Sequence, residues 1–175
     1  MAIMIVLIVG AFTVLLLPAS ASSSASVGGY TLSFVGPVVY NDDGTSTWNY
    51  SLKWDGNDPM LSHFIIEVGT CAKIVGYSTS GAEKVEIGHD NKTDITGIKW
   101  EFNDFPANDG VAFSFTLDGH YGAGQVGFGA KAGGNANVGA ITGPSLSCDV
   151  VIDGPEDGGE DGDDEDNDDG EEEDG

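Results

Sequence analysis

The residues able to do acid–base or metal chemistry are few and scattered. The histidines are His63, His89 and His120, too far apart in sequence to share a metal through a local helix or strand motif. Ser62 precedes His63, but neighbours on a strand point to opposite faces, so the two diverge. No G-x-S-x-G elbow, H-E-x-x-H pair, P-loop or dinucleotide fingerprint occurs. Glu67 and Glu101 are the carboxylates that a glycosidase-like cleft would have to bring together. Nothing in their spacing does so. The expectation is a non-catalytic chain without a cofactor.

Cys71 and Cys148 are the two cysteines. In an exported chain an even count reads as a disulfide, and closing so long a loop stabilises by roughly 4 kcal/mol in the chain-entropy picture. Free thiols or a metal pair are the alternatives; no C-x-x-C or adjoining histidine favours metal. Two sequons, Asn49-Tyr50-Ser51 and Asn91-Lys92-Thr93, offer glycosylation sites at Asn49 and Asn91. At the C-terminus Asp161, Asp163, Glu165, Asn167 and Asp169 are spaced like calcium-loop ligands, with Gly170 at the turn position. The chain ends before the bidentate glutamate of such a loop. Weak calcium or general cation binding is therefore expected, not a tight site.

These groups sit in a chain of 175 residues with formal net charge -23. Residues 153–175 hold 15 acids and no lysine, leaving 14 acids against 6 lysines elsewhere. Such a field repels phosphate backbones and anionic membranes, and attracts cations or basic partners. An acidic body also suits a high-salt environment. The tail has no hydrophobic residue past Ile152, so it is expected to be disordered. At the other end, residues 2–18 are almost wholly apolar and lead to Ala19-Ser20-Ala21. That reads as a leader helix serving as signal peptide, cut after Ala21 or within the serine run near Ser26. No basic residue precedes it, and its length is at the lower edge of a membrane span, so an uncleaved anchor is the alternative. Membrane contact is expected only in that case. The division is a leader over 1–21, a Ser/Gly-rich linker over 22–29, a folded domain over 30–152 and the tail over 153–175.

The folded stretch reads as strands. In 47–54, Trp48, Tyr50, Leu52 and Trp54 alternate with Thr47, Asn49, Ser51 and Lys53, the period of a half-buried strand. Val111 to Leu117 repeats the pattern; 31–35, 64–68 and 98–102 follow it more loosely. Asp-Gly, Asn-Asp-Gly and Gly-Gly turns punctuate the runs. The prediction is an all-β antiparallel sandwich, immunoglobulin-like or jelly-roll-like, with about eight to ten strands. The strand aromatics read as core first and as a sugar-stacking platform second. The glycines inside 119–134 read as close packing before they read as a ligand surface.

Leu61-Ser62-His63-Phe64, Cys71, Val85-Glu86-Ile87-Gly88, Thr96-Gly97-Ile98-Lys99-Trp100, Phe113 to Gly119, Lys131-Ala132-Gly133 and Ile141-Thr142-Gly143-Pro144 form an ordered set. Over about residues 45–148 this set resembles a group of uncharacterised secreted prokaryotic surface domains. The resemblance implies a β-rich fold at the cell surface and no established activity. The chain departs from that group in carrying the acidic tail where a C-terminal anchor would stand. The tail itself is similar only in composition to thrombospondin type 3 calcium repeats. The resulting expectation is a secreted or cell-surface structural or interaction domain with a solubilising, weakly cation-binding tail. The alternatives are a carbohydrate- or matrix-binding module and a hydrolase assembled from distant strands. The partner would be extracellular, a glycan or a matrix protein, and not nucleic acid.

Overall fold

The computed structural model describes residues 23–57, 59–105 and 110–147. The leader, Cys148 and the tail, with its candidate calcium ligands Asp161, Asp163, Glu165, Asn167 and Asp169, lie outside the described residues. Those that are described form eleven strands and no helix. They are β1 (Ser24–Val27), β2 (Tyr30–Phe34), β3 (Val39–Tyr40), β4 (Thr45–Trp54), β5 (Leu61–Glu67), β6 (Lys73–Tyr77), β7 (Lys84–Asp90), β8 (Ile95–Glu101), β9 (Val111–Asp118), β10 (Ala123–Ala132) and β11 (Asn135–Pro144).

One antiparallel sheet, here called A, runs β1-β2-β4-β9-β6, with β3 also paired to β4. The other, sheet B, runs β11-β10-β5-β8-β7. Eleven strands are one more than the upper end of the expected number. β3 is a two-residue bridge too short to show a period. β1 corrects the linker expected over 22–29: Ser24–Val27 pairs residue by residue with Tyr30–Ser33 across a Gly28-Gly29 turn, where both glycines take positive φ. Serine hydroxyls hold the pair, Ser26 Oγ lying 2.7 Å from Thr31 Oγ1. β1 also runs against β11, where Gly139 leaves room for Val27. That contact joins the two sheets along one side.

The alternation read from the sequence is the alternation of the structure. Trp48, Tyr50 and Leu52 of β4 are fully buried, as are Phe113, Phe115 and Leu117 of β9. They meet Phe64, Ile66, Ile98, Trp100 and Phe128 from sheet B in a single core. Phe64 stacks on Trp100 with centroids 4.9 Å apart, and Phe113 meets Phe64 edge-on at 4.7 Å. The indole of Trp100 donates to Ser78 O at 2.8 Å, and the Tyr50 hydroxyl donates to Thr142 O. Both of these buried tips are thus satisfied, whereas Trp54 Nε1 is buried with no hydrogen-bond partner among the described residues. Burial also pushes the Tyr50 phenol far above its ordinary titration range.

Candidate functional site

The most concentrated group of ionisable side chains lies on the outer face of sheet B, and a bent hairpin builds it. β7 and β8 pair from Lys84↔Glu101 to Asp90↔Ile95. His63 of β5 pairs with Glu101, at the open end of that hairpin. Asp90 lies at its closed end, six positions along β7, yet His63 Nε2 is 3.2 Å from Asp90 Oδ2. The tip therefore folds back across the sheet face instead of continuing in its plane. Gly88 and Gly97 face each other partway along the hairpin.

Glycines of β10 receive the tip. A Cβ on Gly129 would lie 2.6 Å from Thr93 Cγ2, and one on Gly127 would lie 3.4 Å from Ile95 Cδ1. Gly127 also donates its N–H to Glu67 Oε2 at 2.6 Å. The glycines inside this strand serve close packing, and they make room for the hairpin.

Asp90 is the hub. Its Oδ2 accepts the Thr93 N–H at 3.0 Å, the Thr93 hydroxyl at 2.8 Å and His63 Nε2. Burial raises the pKa of the Asp90 carboxyl, but the Thr93 bonds and the adjacent His63 more than offset it, so the net shift is downward. Lys99 stands beside this hub. Its Nζ is 2.6 Å from Glu86 Oε2, 2.8 Å from Glu101 Oε1 and 3.9 Å from Asp90 Oδ1. Burial disfavours its charge, yet the two glutamates outweigh that and raise its pKa. Hydrogen bonds from Lys84 and Lys99 hold Glu86 down at about 2. A cavity of about 220 Å³ opens here between Glu86, Gly88, His89, Asp90 and Lys99.

Each charged side chain of this arrangement has a partner. The Lys99 ammonium is fixed between carboxylates, so it is not a nucleophile. His63 faces Asp90, but the hydroxyl nearest that pair, Thr93, donates to Asp90 rather than to the imidazole. Lys99 fills the centre of the carboxylates, where a cation would otherwise bind, and no metal-ligand cluster of three or more occurs among the described residues. Glu67 and Glu101 do share the outer face of β5 and β8, but the register sets Glu67 opposite Gly97 and Glu101 opposite His63. Four positions separate them, roughly 13 Å along a strand, and each has its own partner. His89 lines the same cavity but is directed to Thr96 and Asp94, and His120 lies elsewhere, against Asn41.

The sequons fall in two different settings. Asn91 is exposed at the hairpin tip, whereas the hydroxyl of its Thr93 is buried and committed to Asp90. Asn49 is half-buried in the floor of a second concavity of about 330 Å³, on the outer face of sheet A. Val35, Ser51, Ser78, Ala112 and Ser114 line it. Trp48 and Trp100 are wholly buried, and Trp54 stacks on Tyr30 at 6.2 Å, so the tryptophans form no exposed platform. Cys71 lies in the turn between β5 and β6 and carries no free thiol.

Sequence reasoning missed Asp90, Glu86, Lys99 and the clamp they make. The alternation Lys84-x-Glu86 facing Lys99-x-Glu101 was visible, but only the register makes it a cluster. Searches against known families and against known proteins find no family model and no relative matching this chain.

Proposed function

We propose that the chain is an exported, non-catalytic structural or interaction domain of the cell surface or extracellular space. The observation that carries this reading is the self-satisfied polar cluster of sheet B. Its charges lock the β7–β8 hairpin onto the sheet and leave no reacting group poised over the cavity. The leader directs export, and the Cys71–Cys148 bond ties down the end of the domain. A Cβ on Gly69 would lie 3.4 Å from Leu146 Cα and 3.7 Å from Cys71 Sγ, so the chain two residues before Cys148 already runs beside Cys71. The acidic tail keeps the protein soluble and gathers cations weakly. The repeated passage of the chain between sheets, from β4 to β5, β5 to β6 and β6 to β7, supports a jelly-roll-like winding over an immunoglobulin-like one.

Export makes one sharp prediction. The mature protein begins at Ser22, because cutting near Ser26 would remove Ser24, Ala25 and Ser26 from β1 and break its hydroxyl pairs with Ser33 and Thr31. Intact mass of protein from the culture medium reads this directly. A mass that retains residues 1–21 would show a tethered chain instead.

The second reading, a glycan- or matrix-binding module, rests on the serine-lined concavity of sheet A. A glycan on Asn49 would occupy that same space, so the two uses exclude each other. A glycan and matrix-protein screen of the mature protein, beside Ala112→Trp to fill the concavity, separates the readings. A glycan signal abolished by Ala112→Trp favours the binding module. A protein partner retained by Ala112→Trp favours the interaction domain. Hydrolysis of a screened glycan would overturn both.

A further inference from the structure

The tip of the β7–β8 hairpin, residues 91–94, begins with Asn91, and both Asn91 and Lys92 are exposed. Asn91-Lys92-Thr93 is an acceptor sequence only because a hydroxyl stands two residues after the asparagine. An enzyme that glycosylates Asn91 must therefore reach Thr93 as well.

The closed tip withholds that hydroxyl. Thr93 is only 7% exposed. Its hydroxyl and its N–H donate to Asp90 Oδ2 at 2.8 and 3.0 Å, and Asp94 N donates to Asp90 O at 2.9 Å. The Thr93 methyl lies over Gly129, where a Cβ would come within 2.6 Å of it. Asp94 closes the turn with a φ of 60°. The acceptor sequence cannot straighten without pulling Thr93 off both Asp90 and β10. A sugar on the exposed Asn91, by contrast, leaves all of these bonds in place.

We propose that Asn91 is a glycosylation site open only while this tip is undocked, so that its glycan is added before the hairpin closes and is kept afterwards. The donor is a lipid-linked oligosaccharide. Asn91 Nδ2 bonds to the anomeric carbon of the sugar, the lipid pyrophosphate leaves, and the amide gives up one proton. In the cell this modification rests on the exported reading above, which the intact mass of secreted protein tests on its own. Asn49 is a built-in reference. It lies in the middle of β4, opposite Ser114 of β9, with its carbonyl accepting Val35 N at 2.8 Å. Only the opening of sheet A would release it.

The test is an acceptor assay on purified protein made in a host without N-glycosylation. It uses an oligosaccharyltransferase that takes the plain Asn-x-Ser/Thr sequence, with its lipid-linked donor. A peptide of residues 88–96 is expected to be modified at least about tenfold faster than Asn91 of the folded parent, where the rate follows the open population. Asp90→Ala removes the acceptor of both Thr93 bonds. Gly129→Ala pushes on the Thr93 methyl and leaves the acceptor sequence and Asp90 untouched. Each is expected to raise Asn91 modification about tenfold, with Asn49 unmodified. A parent modified as fast as the peptide overturns the proposal, as does a peptide that is not modified at all. Variants that stay at the parent's level also overturn it. So does modification of Asn91 that rises only together with Asn49, which would mean that the whole domain has to unfold.

Discussion

Replacing Gly97 with alanine is expected to cost more than about 3 kcal/mol, the upper range for forcing atoms into a packed interior. A Cβ there would lie 1.9 Å from Ile66 O and 2.9 Å from Glu67 Cα. Both are backbone atoms of the adjacent strand, so no rotamer change relieves the overlap. β8 would have to move away from β5. That movement would strain the pairing of Ile66 with Ile98 and the bond from Val68 N to Thr96 O, at the middle of sheet B. Set against a typical total of about 5–15 kcal/mol for a domain, the loss should appear as low soluble yield or a strongly lowered urea midpoint. Gly134→Ala is the control. Its Cβ meets nothing within 4 Å and its φ is ordinary, so stability should change by less than about 0.5 kcal/mol. If the two variants unfold at the same midpoint, the close approach of β8 to β5 is not a constraint on the fold.

The contrast between these glycines also shows what a reader of the sequence can and cannot see. Period-two patterning is local, so Trp48-x-Tyr50-x-Leu52 and Phe113-x-Phe115-x-Leu117 declared both their strands and their buried faces. The turn at Gly133-Gly134 was equally local. The clamp was hidden because it depends on which strands are neighbours and on a bend out of the sheet plane. Gly88 and Gly97 are nine positions apart and become neighbours only through pairing. Gly127 and Gly129 look like weak points in β10 until Thr93 and Ile95 are seen to rest on them. Ser24–Val27 read as linker because serine carries little strand signal; hydroxyl pairs and the edge of β11 make it a strand. The same logic explains the tryptophans. Their alternation showed that they share a face, and only the second sheet shows that the face is covered.

Asp90→Ala should destabilise the protein by about 2–3 kcal/mol, because one carboxylate satisfies three donors, two of them on the buried Thr93. The loss should concentrate in the tip of the β7–β8 hairpin. Amides of residues 91–95 should exchange faster, while the β4–β9 pairing stays protected. Asp90→Asn keeps one acceptor oxygen and should cost about half as much. Acid should imitate the mutation. The folded carboxyl titrates below its ordinary 3.8, so the unfolded chain takes up the proton first. The stabilisation is therefore complete above about pH 4 and is lost as pH falls through the lowered folded value. Glu86, held down at about 2 by Lys84 and Lys99, acts in the same direction from the opposite wall of the cavity. Hairpin protection in the parent should then fall progressively below pH 4, and Asp90→Asn should show a shallower decline because Glu86 alone remains to titrate. If the parent and Asp90→Asn lose protection in parallel over that range, Asp90 is not the group that clamps the hairpin, and the site on sheet B is held by Lys99 and its two glutamates alone.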